Sequence, residues 1–383
     1  MPLPLFPVSV VGSWPRTPEL LSVLRQKRRG GISQDEFDGV ADAAVLEALR
    51  LQTAAGVDVV TDGEQRRDNF YSFVAEKLSG VRLMSLSEML DVVEDRAGFE
   101  DILETLGVPA YAILNPTCIG RLERKGPLAV DEARFLREHT DKPIKVALPG
   151  PYLLTRAMFV PGVSKPAYDS KEELAEDVVA VLRAEVEELA SEGVDFVQLD
   201  EPVLTELVFS RGKTRTFMCA ALASRGDPTE ELEFAVSLIN RVVDGVSGVR
   251  TGLHVCRGNW SRNEATLLRG SYQPLAPYLA RLCVDQLVLE YATERAGVLM
   301  AFEGKEIGLG VVNPRTESIE SSEHISKAVS RALELYPSEK VWLNPDCGFG
   351  TFSARPVNTA ETAVKKLAMM AEAAQMVREA AAT

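Results

Sequence analysis

The chain has 383 residues, 46% hydrophobic and 26% charged, with a net charge of -14, a mean hydropathy of -0.02 and a pI near 4.9. That acidity excludes nucleic acid and anionic membrane as partners. No run of about 18 apolar residues occurs, so no segment is expected to span a bilayer. The opening stretch Met1-Pro2-Leu3-Pro4-Leu5-Phe6-Pro7 has neither a basic segment nor an unbroken apolar one and does not read as a signal peptide. Five scattered cysteines, Cys118, Cys219, Cys256, Cys283 and Cys347, predict reduced thiols in a cytoplasmic protein rather than a disulfide framework.

In chain order, short apolar runs alternate with long amphipathic ones. Strands are expected near residues 8–12, 57–61, 144–148 and 196–199, and again near 250–255, 286–289, 307–312 and 341–343. Continuous apolar runs of this length suit parallel strands covered on both faces. The clearest helix spans 171–192, with Leu174, Val178, Leu182, Val186 and Leu189 near helical spacing and Gly193 where a C-cap glycine belongs. The stretch from about 80 to 141 is too long for one crossover. It reads as an insertion between the second and third strands, helical around 85–106 and extended around 111–127, leaning over the barrel mouth. A closing helix starts near Ala360. Eight strands separated by helices predict an α/β fold, a single TIM (β/α)8 barrel occupying residues 1–383 as one domain.

The chain has only three histidines, His139, His254 and His324. His254 and Cys256 stand two apart on the fifth predicted strand, so their side chains point the same way. Alone, the pair reads equally well as a buried cysteine beside a satisfied histidine. Glu290 and Cys347, however, follow the sixth and eighth predicted strands, and in a TIM barrel those strand ends converge on the functional face. His254, Cys256, Glu290 and Cys347 form a plausible tetrahedral set, and soft thiolates favour zinc over magnesium or calcium. His139 and His324 read as ordinary helical or surface residues. Acids also follow other strands, in Asp62-Gly63-Glu64 and Asp200-Glu201-Pro202. They either cap the next helices or build a pocket for a ligand bearing an ammonium group.

The combination of Gly12-Ser13, Asp62-Gly63-Glu64, Asp200-Glu201-Pro202, His254-x-Cys256, Glu290 and Asn344-Pro345-Asp346-Cys347-Gly348 resembles the catalytic domain of cobalamin-independent methionine synthases, in order and over nearly the whole chain. The resemblance implies bound zinc and homocysteine as methyl acceptor. It makes His254, Cys256, Glu290 and Cys347 the zinc ligands. Ser13 would fix the substrate carboxylate through its backbone N–H, and Glu64 and Asp200 would hold the amino group. Zinc turns a weakly nucleophilic thiol into a thiolate. Glu290, the hardest ligand, is the one expected to loosen as the thiolate arrives, which gives it the catalytic role.

Three departures bear on the methyl donor. The chain has room for one barrel where the long family members have two. Ala157, in the stretch 150–157, replaces a tryptophan that stacks on the folate, and Arg315, in 310–315, replaces a general-acid histidine. Arginine is always charged and does not serve as a proton donor, and the folate nitrogen leaves poorly unless protonated. A methyl–cobalt donor leaves without a proton. In these departures the sequence resembles the short core methionine synthases, and that resemblance implies methylcobalamin or a methylated corrinoid protein as co-substrate, with 5-methyltetrahydrofolate second. Two other readings stand beside this one: a methyltransferase for another thiol such as coenzyme M, and a non-catalytic zinc barrel that binds a corrinoid protein. Uroporphyrinogen decarboxylase relatives share the fold without the zinc ligands.

Overall fold

A strand whose residues are all apolar or internally hydrogen-bonded has no face to give to water, and such runs pair here in parallel beneath a coat of helices. The computed structural model describes residues 3–92, 114–209, 226–259, 261–262, 267–353 and 356–381. Strands β1 (Leu78–Ser85) and β2 (Leu114–Arg124) form an antiparallel hairpin. Strands β3 (Lys145–Pro149), β4 (Phe196–Asp200), β5 (Arg250–Val255), β6 (Gln286–Leu289), β7 (Glu306–Val312) and β8 (Val341–Pro345) form a parallel sheet in that order. Every residue of β3, β4, β6 and β8 is buried.

Two extended segments earlier in the chain close the sheet into a ring. Val8 bridges Leu343 on β8, Ser9 bridges Val59, and Val60 bridges Ile144 at the start of β3, all in parallel. The expected TIM barrel is therefore present, with its first two strands shortened to single bridges. Inside it, Val11, Val59, Phe196, Val288 and Trp342 pack together. Polar interior residues are satisfied by the wall: Lys145 Nζ donates to Val10 O at 2.9 Å and Gln198 Nε2 to Val11 O at 3.0 Å. The barrel is thus a filled core, and function is left to its rim.

The outer layer includes α1 (Pro18–Arg28), α2 (Gln34–Ala54), α3 (Pro151–Met158), α4 (Lys171–Ser191), α5 (Pro228–Val243), α6 (Ser322–Leu333) and α7 (Ala360–Ala381). The helix α4 matches its expected span, opened by Ser170 on the Glu173 N–H and followed by Gly193 at φ 73°. In α2, Ser33 and Glu36 form a reciprocal capping box. Ser33→Ala is expected to cost about 1 kcal/mol of stability, read as a lower denaturant midpoint with unchanged activity. The closing helix α7 ties the ring together, since Arg378 donates to Leu5 O at 2.7 Å and pairs with Asp58 at 2.9 Å.

The insertion begins with the hairpin and a short helix, Leu86–Leu90. Most of the helix expected over 85–106 lies outside the described residues, while β2 realises the extended piece. Asn115 Nδ2 donates to Ala157 O on α3 at 2.7 Å, and Arg124 pairs with Glu185 of α4. The described part of the insertion is therefore anchored on the helices that follow β3. Among the described residues no helix is long and apolar enough to cross a membrane.

Candidate metal centre and substrate pocket

The parallel register sets Asp200, the last residue of β4, beside His254 on β5. Cys256 lies just past β5, Glu290 just past β6 and Cys347 two residues past β8. All five are buried. The structure brings one ligand atom each of His254, Cys256 and Cys347 within 4.8 Å of one another. The His254 ring is oriented by Nδ1, 3.1 Å from Val288 O, and Nε2 is buried with no hydrogen-bond partner. An imidazole fixed at one nitrogen by a carbonyl, with the other aimed at sulfurs, is the usual arrangement of a histidine metal ligand.

The charges in this group are those a metal would replace. Hydrogen bonding from Cys256 holds the Cys347 thiol well below its ordinary range, against burial and with help from His254. Burial opposes a charged His254, yet the adjacent Cys347 sulfur raises its pKa to about 9. The Cys256 thiol is pushed up by Cys347 and by burial. A nitrogen and two sulfurs converging in a buried pocket fit the donor chemistry of zinc.

Glu290 is placed differently from the other three expected ligands. It lies next to the group, but its carboxylate sits in a polar cradle. Oε1 accepts from the Arg257 N–H at 3.1 Å and from Asn259 Nδ2, and Oε2 accepts from Arg295 Nη2 at 3.1 Å. Burial alone would raise its pKa, but Arg295 and Arg257 hold it below the usual carboxylate range. Sequence reasoning missed the cradle. Arg257 and Asn259 follow Cys256 directly and were visible as a polar cluster, whereas Arg295 arrives from a separate loop.

Ser13, Glu64, Asp200, His254, Cys256 and Cys347 all line one cavity that opens to solvent. Gly348 lets Ser13 approach the Cys347 loop, because a side chain at 348 would collide with Ser13 Oγ. Gly12 likewise leaves room for the Glu64 carboxylate. Glu64 Oε2 is buried without a hydrogen-bond partner, and Asp200 Oδ1 accepts from Gln198 at 2.8 Å. Burial raises Glu64 to about 8, against Arg67 and Arg16, and raises Asp200 to about 6, against His254. In both acids burial outweighs the nearby positive charges, so each is held back from ionising.

These shifts set a sign for stability. With ordinary values of 4.5 and 3.8, the unfolded chain has released both protons while the folded chain still binds them. The part of metal-free stability that these two acids carry is therefore expected to fall as pH rises through the window from about 5 to 8. Denaturant midpoints at the two ends measure it, and Glu64→Gln should flatten the slope.

The remaining histidines and cysteines lie elsewhere. His139 and His324 are exposed, Cys118 is buried within the insertion on β2, Cys283 is exposed, and Cys219 lies outside the described residues.

A barrel that gathers a His/Cys/Cys group able to hold a metal, and two buried acids, at the carboxyl ends of its strands has the layout of a barrel enzyme's active site. A family model described as "Cobalamin-independent synthase, Catalytic domain" matches residues 6–376. The methionine synthase of Thermococcus kodakarensis is 30% identical over 99% of this chain and 95% of its own length. That of Saccharolobus solfataricus is 29% identical over 98% and 96%. The structure of a B12-independent methionine synthase from Shewanella sp. W3-18-1 in complex with selenomethionine matches with a TM-score of 0.74 at 24% identity, covering 99% of both chains, which speaks to the fold. The chain belongs to the cobalamin-independent methionine synthase family and is an enzyme of the methyltransferase class. That family description runs against the expected co-substrate, methylcobalamin or a methylated corrinoid protein. The expectation rested on the single barrel, Ala157 and Arg315, none of which specifies a corrinoid.

Proposed function

We propose that this enzyme methylates the thiol of homocysteine to form methionine, with zinc held by His254, Cys256 and Cys347. The observation that carries the reading is one cavity containing both the nitrogen–sulfur donor group and the two buried acids Glu64 and Asp200. Zinc, when bound, would keep the substrate thiol as a thiolate at neutral pH. The chain's own residues supply the rest. The Ser13 N–H takes the substrate carboxylate, and Glu64 and Asp200 accept from its ammonium group.

Glu290 is assigned as the fourth, exchanging ligand. A buried carboxylate that leaves a cation is costly unless other donors receive it. The Arg257–Asn259–Arg295 cradle supplies those donors. A sulfonate thiol such as coenzyme M would face Glu64 and Asp200, two acids and no cation, and is disfavoured on charge. A non-catalytic zinc barrel has no use for the acids at all.

Two residues bear on the donor. Ala157 is fully buried and its carbonyl is taken by Asn115, so it offers no ring for stacking. Arg315 is buried, with Nε donating to Asn259 Oδ1 at 2.9 Å. The test is methionine formation by zinc-loaded protein from homocysteine with either 5-methyltetrahydrofolate or methylcobalamin, beside 2-mercaptoethanesulfonate as rival acceptor. Methionine is the expected product. Methylation of the sulfonate thiol in preference to homocysteine would overturn the reading.

A further inference from the structure

Arg16 stands between the acidic side of the pocket and the metal loop. It is 5% exposed, and its guanidinium donates to backbone carbonyls rather than to a carboxylate. Nη2 donates to Glu64 O at 2.6 Å and Arg67 O at 3.0 Å, and Nη1 to Trp14 O at 3.3 Å and to Gly350 O. These carbonyls belong to the three rim loops that carry Ser13, Glu64 and Cys347. The loops are joined again nearby, by Phe349 N to Ser13 O at 3.0 Å and Trp14 N to Gly63 O at 2.9 Å.

Glu64 has φ 53°, a left-handed conformation that residues with a side chain rarely adopt. Such a conformation persists only where the surroundings over-determine it. Here both backbone groups of Glu64 are held: its N–H donates to Asp62 Oδ1 at 2.9 Å, and its carbonyl accepts from the Arg67 N–H at 3.1 Å within its own loop and from Arg16 at 2.6 Å, the contact that ties it to the other two loops. The outcome is a carboxylate beside Gly12, with Oε2 buried and without a hydrogen-bond partner, in the wall of the cavity that Asp200 also lines. Relaxation of the Glu64 backbone would turn that carboxylate away.

We propose that Arg16 is a positioning residue: by clamping the Glu64 carbonyl to the metal loop it keeps Glu64 in its left-handed conformation, and so gives the pocket its preference for thiols that carry an amino group. This rests on the homocysteine reading. A lysine at 16 is a point charge without the planar fork that reaches several carbonyls at once, so the clamp fails while the charge remains.

The experiment is calorimetric binding of homocysteine and of 4-mercaptobutanoate, its analogue without the amino group, to zinc-loaded wild type, Arg16→Lys, Glu64→Gln and the double variant. Wild type is expected to prefer homocysteine by roughly 10- to 100-fold, the worth of a charge-assisted hydrogen bond. Arg16→Lys should lose most of that preference, with zinc content unchanged and 4-mercaptobutanoate binding within about twofold of wild type. In the Glu64→Gln background the substitution should add nothing, as expected for residues that act through one another. Retained preference in Arg16→Lys, or equal loss of both thiols together with zinc, overturns the role of Arg16. Absence of preference in the wild type overturns the homocysteine reading and the inference with it. If Arg16→Lys does not fold, Arg16→Gln, which keeps an amide donor, is measured in its place against the same outcomes.

Discussion

Replacing Cys256 or Cys347 by serine is expected to abolish zinc binding and methyl transfer together. Both sulfurs belong to the group that comes within 4.8 Å of His254, and serine supplies no soft donor at neutral pH. Losing an outer partner of a metal ligand costs about 10- to 100-fold in affinity. Losing a ligand itself should exceed about 100-fold, enough to empty the site at micromolar zinc. The controls are Cys118→Ser and Cys283→Ser. Cys118 sits in β2, where its thiol donates to Gly120 O, and Cys283 is exposed. Both variants should keep full zinc content and activity. Metal analysis of the purified variants beside an activity assay checks the set, and an active, metal-free Cys256→Ser would refute the assignment.

The second large effect concerns the acids. Glu64→Gln and Asp200→Asn keep shape and remove charge from the two groups that face the proposed ammonium. Each should lower kcat/KM for homocysteine by about 10- to 100-fold, chiefly through KM, and leave zinc content unchanged. In the wild type, burial holds Asp200 at about 6 and Glu64 at about 8. An ammonium group binds their ionised forms, so KM is expected to fall as pH rises from 6 toward 8. Glu64→Gln should remove the upper part of that dependence. A KM indifferent to both substitutions would show that the amino group binds elsewhere.

The parts legible in the sequence were those encoded within single short runs. Six strands of the ring fell where apolar runs predicted them, because a strand covered on both faces admits no polar alternation. The segments around Val8 and Val59 were read as strands of ordinary length, yet pair only through bridges at Val8, Ser9, Val59 and Val60. Apolar content reports burial and is silent on how many ladder bonds form. For the site, a strand end is a place the sequence can name, and so Ser13, Glu64, Asp200, His254, Cys256 and Cys347 could be named as rim residues, which one cavity brings together. The surroundings of Glu290 were not legible. Its cradle joins Arg257 and Asn259 after β5 to Arg295 in the loop after β6, and no local pattern fixes the meeting of two loops. Arg16 escaped for the same reason: its partners lie at Trp14, Glu64, Arg67 and Gly350, and a backbone carbonyl leaves no mark in a sequence.

The central claim is that the substrate thiol becomes a ligand of the metal held by His254, Cys256 and Cys347. X-ray absorption at the zinc edge of the loaded protein, with and without homocysteine, tests it directly. Sulfur neighbours from Cys256 and Cys347 alone are expected in the free protein, and one additional sulfur at about 2.3 Å once homocysteine binds, gained at the expense of an oxygen neighbour. An unchanged sulfur count in protein shown to have bound homocysteine would contradict it.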